Sequence, residues 1–216
     1  MCGLYSLTIA PEELRAALGY AEDERFPPRP VIRPGEPVAI VRREEDGMRH
    51  LRLALWGFVP HWAKDPRALR RPINARAETL LERPFFRGAA RHRRCILPAD
   101  GFHEWTGERG CRRAVLFRER TGAPLFMAGL WDRWLGADGS EIETAVVITV
   151  EANADVSAVH GRMPALLEPG ELDAWLDPAA PAREAMRLLR PAPPGLLEAR
   201  DIGNPLKPPP AQPRLL

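Results

Sequence analysis

Apolar and polar residues follow two periods along this chain. After Pro11, the residues Leu14, Ala17 and Leu18 fall on one face at helical spacing, which predicts a short helix over 11–18 ended by Gly19. Short runs with strand character follow at 38–42, 51–56, 94–97, 102–105, 114–117, 124–130 and 144–150, each punctuated by Gly, Pro or charged turns. Helical patterns return over 77–82, 85–92, 171–176 and 182–189, too few and too scattered for regular βαβ alternation. The pattern therefore predicts an α+β fold with a curved, mainly antiparallel β core. Proline and polar residues over 26–37 predict a surface loop. From residue 191 the chain is mostly proline, leucine and small residues, so one domain over 1–190 is expected, followed by a proline-rich, partly disordered tail over 191–216. No repeat at solenoid or propeller period is present.

Composition narrows the setting. A chain of 216 residues with 45% hydrophobic content can bury a sizeable core within one domain. It contains no run of about 18 uninterrupted apolar residues and no secretory leader pattern, which predicts a soluble cytoplasmic protein without a membrane partner. Cys2, Cys95 and Cys111 form an odd set without CxxC spacing, so reduced thiols are expected. With 31 basic and 29 acidic residues, any nucleic-acid surface must be local. Lys64 and Lys207 are the only lysines, which suits phosphate forks but reads first as a coding bias toward arginine.

Candidate chemistry begins at Cys2. Methionine is normally removed before a small residue, and its loss here leaves an amine and a thiol two carbons apart. An α-amine titrates near about 7.7–8.0 and a thiol near about 8.5, so both nucleophilic forms are accessible around neutral pH. With an aldehyde, the amine forms a Schiff base and the thiolate closes onto the imine carbon as a five-membered thiazolidine. Taken alone, Cys2 is more simply a small residue that permits methionine removal.

Other segments change that balance. In Asn74-Ala75-Arg76-Ala77-Glu78-Thr79, an extended backbone would turn Asn74 and Arg76 to one face, although a capped helix start is the plainer reading of the isolated hexapeptide. The run from Arg93 to Trp105 joins two strands through Pro98-Ala99-Asp100-Gly101 and ends in Glu104-Trp105, where an acid held among aromatics would keep its proton unusually well. An exposed strand glutamate is the alternative. Val159-His160-Gly161-Arg162-Met163-Pro164 supplies an imidazole and a guanidinium, with His50, His61, His92 and His103 competing for any catalytic role. His92, Cys95 and Cys111 lack zinc spacing, so neither metal nor cofactor is expected. Trp56, Trp62 and Trp105 lie in or beside these motifs, with core packing the plainer role for Trp56.

Taken together, Met1-Cys2-Gly3, Trp56-Gly57-Phe58-Val59-Pro60-His61-Trp62, the Asn74 hexapeptide, the Arg93–Trp105 run and the His160 segment resemble the SRAP family, the SOS response-associated peptidase-like proteins. The resemblance runs from Cys2 to roughly Leu176. It implies a single domain of barrel-like sheets with flanking helices and a positively charged groove for single-stranded DNA. It also implies that Cys2 crosslinks abasic sites, that Asn74 and His160 assist ring opening and condensation, and that Glu104 transfers protons. Arg76, Arg162, Trp62 and Trp105 would bind or shape DNA, with Thr149 and Arg83 as secondary contacts. The implied activity is covalent shielding of abasic lesions during replication-associated repair, with lyase and autoproteolytic activity as further expectations, in a monomer that joins the nucleoid when bound to DNA. Leu4 stands where the family usually has arginine, Val31-Ile32-Arg33-Pro34 replaces an Asn-x-Ala-Pro loop, and residues 202–207 only loosely echo a terminal Val-Lys-Asn segment. Two other readings compete: an N-terminal cysteine peptidase, with His160 or the α-amine as base and Asn74 in the oxyanion hole, and a non-covalent reader of damaged or modified DNA.

Overall fold

A computed structural model describes residues 3–22, 26–108 and 111–206. In chain order it contains β1 (Leu4–Leu7), α1 (Pro11–Leu18), β2 (Arg29–Ile32), β3 (Pro37–Arg43), β4 (Arg49–Trp56), β5 (Asn74–Arg76), α2 (Pro84–His92), β6 (Arg94–Ala99), β7 (Gly101–Thr106), β8 (Arg113–Glu119), β9 (Leu125–Leu135), β10 (Glu141–Glu151), β11 (Arg162–Pro164), α3 (Leu172–Leu176), α4 (Ala182–Met186) and β12 (Leu197–Asp201). The class is α+β, as the pattern predicts.

Two sheets carry the molecule. One has the order β12-β8-β7-β1-β2; the other runs β11-β10-β4-β3-β6-β9, and β9 pairs back onto β10. That last pairing closes β10, β4, β3, β6 and β9 into a five-stranded barrel and removes its free edges. Gly129 lies where the closure is tightest: a Cβ there would stand 2.9 Å from the Val146 carbonyl oxygen, so no larger residue fits without a shift. Most pairings are antiparallel, while β4 and β5 each run parallel to β10. Tyr5 of the first sheet meets Trp56 of the barrel edge-on, with ring centroids 5.2 Å apart, and both are wholly buried.

Local chemistry explains α1 well. Pro11 opens the helix, Glu12 and Glu13 occupy the first turn, Leu14 and Leu18 are buried, and Gly19 at φ 63° closes it in the left-handed conformation. Elsewhere the structure departs from expectation. The 26–37 segment contains β2, and α4 is shorter than the expected 182–189 helix. The fold also runs past residue 190. Ala192 and Leu197 are buried, and β12 pairs with β8 from Leu197↔Glu119 to Asp201↔Val115. Within the described residues, no helix is long and apolar enough to cross a membrane.

Candidate functional site

β5, β10 and β11 converge at one end of the barrel. β5 lies parallel to β10 with Val147↔Asn74, Ile148↔Ala75 and Thr149↔Arg76 in register. Ala75 points into the core, so the two-residue strand repeat turns Asn74 and Arg76 together to the opposite face, as the extended reading requires. Asn74, Arg76, Arg70 and Arg83 line an open cleft of about 400 Å³ whose apolar wall is Phe85 and Phe86. Arg70, Arg76 and Arg83 are exposed and enter no ion pair among the described residues, leaving positive charge along the cleft.

Arg162 is held differently. Its Nη1 and Nη2 donate to the two carboxylate oxygens of Glu78 at 2.7 and 2.9 Å, and Nη2 also donates to the Thr149 carbonyl at 2.5 Å. Glu78 therefore occupies the guanidinium fork as a phosphate would, and the pairing holds the Glu78 carboxyl below the usual carboxylate range. Thr149 is 0% exposed, and its hydroxyl meets the Ala75 carbonyl at 3.4 Å. The backbone N–H of Arg162 donates to His160 Nδ1 at 2.9 Å. The same Nδ1 lies 3.2 Å from the Arg162 carbonyl oxygen, so both backbone groups of Arg162 hold the ring in place.

Glu104 lies on the other sheet. It is 1% exposed on β7, and burial raises its carboxyl above the ordinary carboxylate range, while the charge of His160 pulls in the opposite direction. β1 pairs with β7 as Leu4↔His103 and Tyr5↔Phe102, so one further step of that register brings Gly3 across from Glu104. Leu4 itself is buried, which suits an apolar side chain at the position of the expected arginine. Cys2, the candidate nucleophile, lies outside the described residues. Trp105 is partly exposed beside Glu104, and Trp62 is 53% exposed with its ring edge-on to Phe85 at 6.0 Å.

Sequence reasoning missed Glu78 as the partner of Arg162, although both lie within motifs it singled out. It also passed over Arg70, whose place in the cleft follows from the fold and has no local signature. Cys95 is wholly buried, and desolvation pushes its thiol far up, so that sulfur is inert. No group of three His, Cys, Asp or Glu among the described residues is arranged to hold a metal ion.

The whole arrangement has close relatives. The family model described as SOS response associated peptidase (SRAP) matches residues 1–207. The abasic site processing protein YoaM of Bacillus subtilis (strain 168) is 33% identical over 184 residues, covering 82% of this chain and 80% of its own. The abasic site processing protein YedK of Escherichia coli (strain K12) is 30% identical, with 87% and 85% covered. An X-ray structure of a protein from Bacteroides thetaiotaomicron superposes with a TM-score of 0.85 at 26% identity, covering 94% of this chain and 93% of that one.

Proposed function

This chain belongs to the SRAP family, and from that premise we propose that it processes abasic sites by bonding its own N-terminus to them. Once Met1 is removed, the Cys2 α-amine attacks the C1′ aldehyde of a ring-opened deoxyribose and forms a carbinolamine. Loss of one water gives the imine. The Cys2 thiolate then adds to the imine carbon, and the nitrogen takes up a proton to complete the thiazolidine. No oxidant, reductant or metal enters this balance.

Each remaining side chain has a task in that sequence. The deoxyribose is mostly closed, so ring opening needs a proton delivered to O4′ and another removed from the C1′ hydroxyl; His160 and Glu104 are the groups to move them. A carboxyl with a raised pKa retains a proton to donate to the departing carbinolamine hydroxyl and, in reverse, to the ring sulfur or nitrogen. Asn74 orients the sugar. Arg76, with Arg83 further along the cleft, holds the phosphates of an unpaired strand, and Trp62 and Trp105 stack on or wedge between its bases. Thr149 has a positioning role, fixing Arg162 and β5 from within.

The observation that carries this reading is Glu104, buried on β7 within electrostatic reach of His160, on the strand that pairs with β1 just after Cys2; burial raises its carboxyl above the ordinary range. A denaturing gel tests it: Met1-processed protein is incubated with single-stranded DNA bearing one abasic site, with the undamaged strand and with a peptide panel. We expect a heat- and detergent-stable adduct with the abasic strand only, absent from Cys2→Ala. An undiminished adduct in Cys2→Ala rejects the nucleophile. Peptide cleavage without adduct would favour the cysteine-peptidase reading.

A further inference from the structure

On the far side of the Trp62–Phe85 contact lies a second recess of about 490 Å³, lined by His61, Trp62, Pro84, Arg87, Gly88 and Arg91. Its back wall is unusually well fixed. The carboxylate of Asp132, 3% exposed on β9, accepts the His61 backbone N–H at 3.0 Å and lies 3.1 Å from His61 Nδ1. Arg93 Nε lies 2.9 Å from the other carboxylate oxygen, balancing the buried charge. Two further bonds clamp the same loop onto the barrel: Val59 N–H donates to the Thr144 hydroxyl at 3.0 Å, and Trp134 Nε1–H donates to the Ala63 carbonyl at 2.7 Å. With Nδ1 turned to Asp132 and Arg93, the remaining ring nitrogen of the half-exposed His61 is left for the recess side.

The front wall is α2, where Arg87 and Arg91 are four residues apart and so share one helix face. Both are exposed, and neither has an ion-pair partner among the described residues. Like charges at this spacing repel, and of the two only Arg91 lies in the last turn, where the helix dipole offsets part of that. Such an arrangement is completed by an anion. A guanidinium pair facing an imidazole on a rigid loop, with an indole alongside, matches the phosphate and base of a nucleotide.

We propose that this recess is a second phosphate subsite, which grips the backbone of the strand flanking the lesion after it has passed over the Trp62–Phe85 ridge. The proposal rests on the single-strand reading above and adds to it a reach beyond the cleft of Asn74 and Arg76. The strand is thereby held by groups that do not depend on the damaged sugar, and the protein acquires a minimum oligonucleotide length for tight binding.

The test uses full-length, Met1-processed protein and single-stranded DNA carrying an abasic analogue without an aldehyde, so that binding is read apart from bond formation. Oligonucleotides are lengthened stepwise on each side of the lesion. We expect wild-type affinity to step up on lengthening one side, and the Arg87→Ala/Arg91→Ala double variant to lose that step, about tenfold, with a shallower salt dependence by roughly 0.7 for each phosphate no longer neutralised. Arg200→Ala, which removes an exposed charge on β12, should retain both the step and the slope. A double variant that keeps the full step and slope overturns the subsite. If the step is lost but natural abasic DNA never forms an adduct, the subsite stands and the covalent reading falls.

Discussion

At the scale of single residues, Glu104 sets stability against the chemistry proposed for it. Burial raises its carboxyl pKa, so the folded protein binds this proton more tightly than the unfolded chain does. Its favourable contribution is complete below the ordinary carboxylate pKa and is lost as pH rises through the folded value, which leaves a penalty at neutral pH. Glu104→Gln keeps the shape and abolishes the titration. We therefore expect the variant to melt a few degrees higher at pH 7 and to flatten the Tm–pH curve above the ordinary carboxylate range, while adduct formation and reversal slow about 100-fold for want of the proton donor. A variant that melts lower and crosslinks at the parental rate would show that Glu104 is a structural hydrogen-bond partner. Glu78 offers an independent case. Its carboxylate fills the fork of Arg162, so Glu78→Gln frees a guanidinium for phosphate. Single-strand affinity should rise roughly threefold at low salt with a steeper salt dependence, by the charge-release argument. A fall in affinity measured by anisotropy would instead make Glu78 the residue that holds Arg162 in place.

Among the elements, those with a local cause were the ones legible in the sequence. α1 has its proline, acidic first turn, apolar face and terminal glycine within nine residues, and its expected bounds match those observed. β2 hid behind its proline content, yet it lies at the edge of its sheet, where Pro30 need not donate to a second neighbour. β12 was hidden for a related reason. At the opposite edge, only Leu197 of its five residues is buried, so it lacks the alternation that marks a half-buried strand. Long-range pairing also carries a pH dependence that no local pattern announces. Glu22, just after α1, accepts the Leu51 N–H at 2.9 Å, contacts His50 Nδ1 at 2.5 Å and pairs with Arg52, while His50 Nε2 meets Asp46 at 2.8 Å. Hydrogen bonds that the protonated ring donates to the Glu22 and Asp46 carboxylates raise the His50 pKa. That contribution is full below the unfolded value near 6.5 and is lost as pH rises through the higher folded one. Burial works against Glu22, but its hydrogen bonds prevail and lower it to about 2, so its share survives until strongly acid pH. Thermal melts of the wild type should therefore decline as pH rises above the ordinary histidine value near 6.5, and His50→Gln should lessen that decline. An identical slope in both proteins would assign it to other groups.

For the molecule as a whole, the candidate residues could be named from the sequence one by one, but not the place each takes in the fold. Asn74, Arg76, Thr149, His160 and Arg162 come from the barrel side, whereas Glu104 and Trp105 come from β7 in the other sheet. In the proposed site the two groups are brought together by how the sheets pack, a property spread over Tyr5, Trp56 and the rest of the core. β12 belongs to this problem. It extends the sheet of Glu104, and the Ile202 N–H donates to the Ala114 carbonyl at 3.0 Å, while Ala114 itself pairs with Trp105. The loop after β10 is tied to the same segment: Asn153 Nδ2 donates to the Ala192 carbonyl at 3.0 Å, and the Asp155 carboxylate accepts the Gly195 and Leu197 N–H groups. That loop leads directly to His160. Residues 191–206 thus strap the carboxylate sheet to the imidazole loop. Ending the chain at Arg190 removes the buried Leu197 side chain, worth about 1.5–3 kcal/mol, and leaves the polar groups of Asn153 and Asp155 without these partners at about 1 kcal/mol or more each. For a domain of this size the melting temperature should fall by roughly 10 °C. Because the strap joins the two halves of the proposed site, adduct yield should also drop at temperatures well below the new midpoint. A truncated chain that crosslinks at the full rate while merely melting earlier would show that the core alone aligns Glu104 with His160.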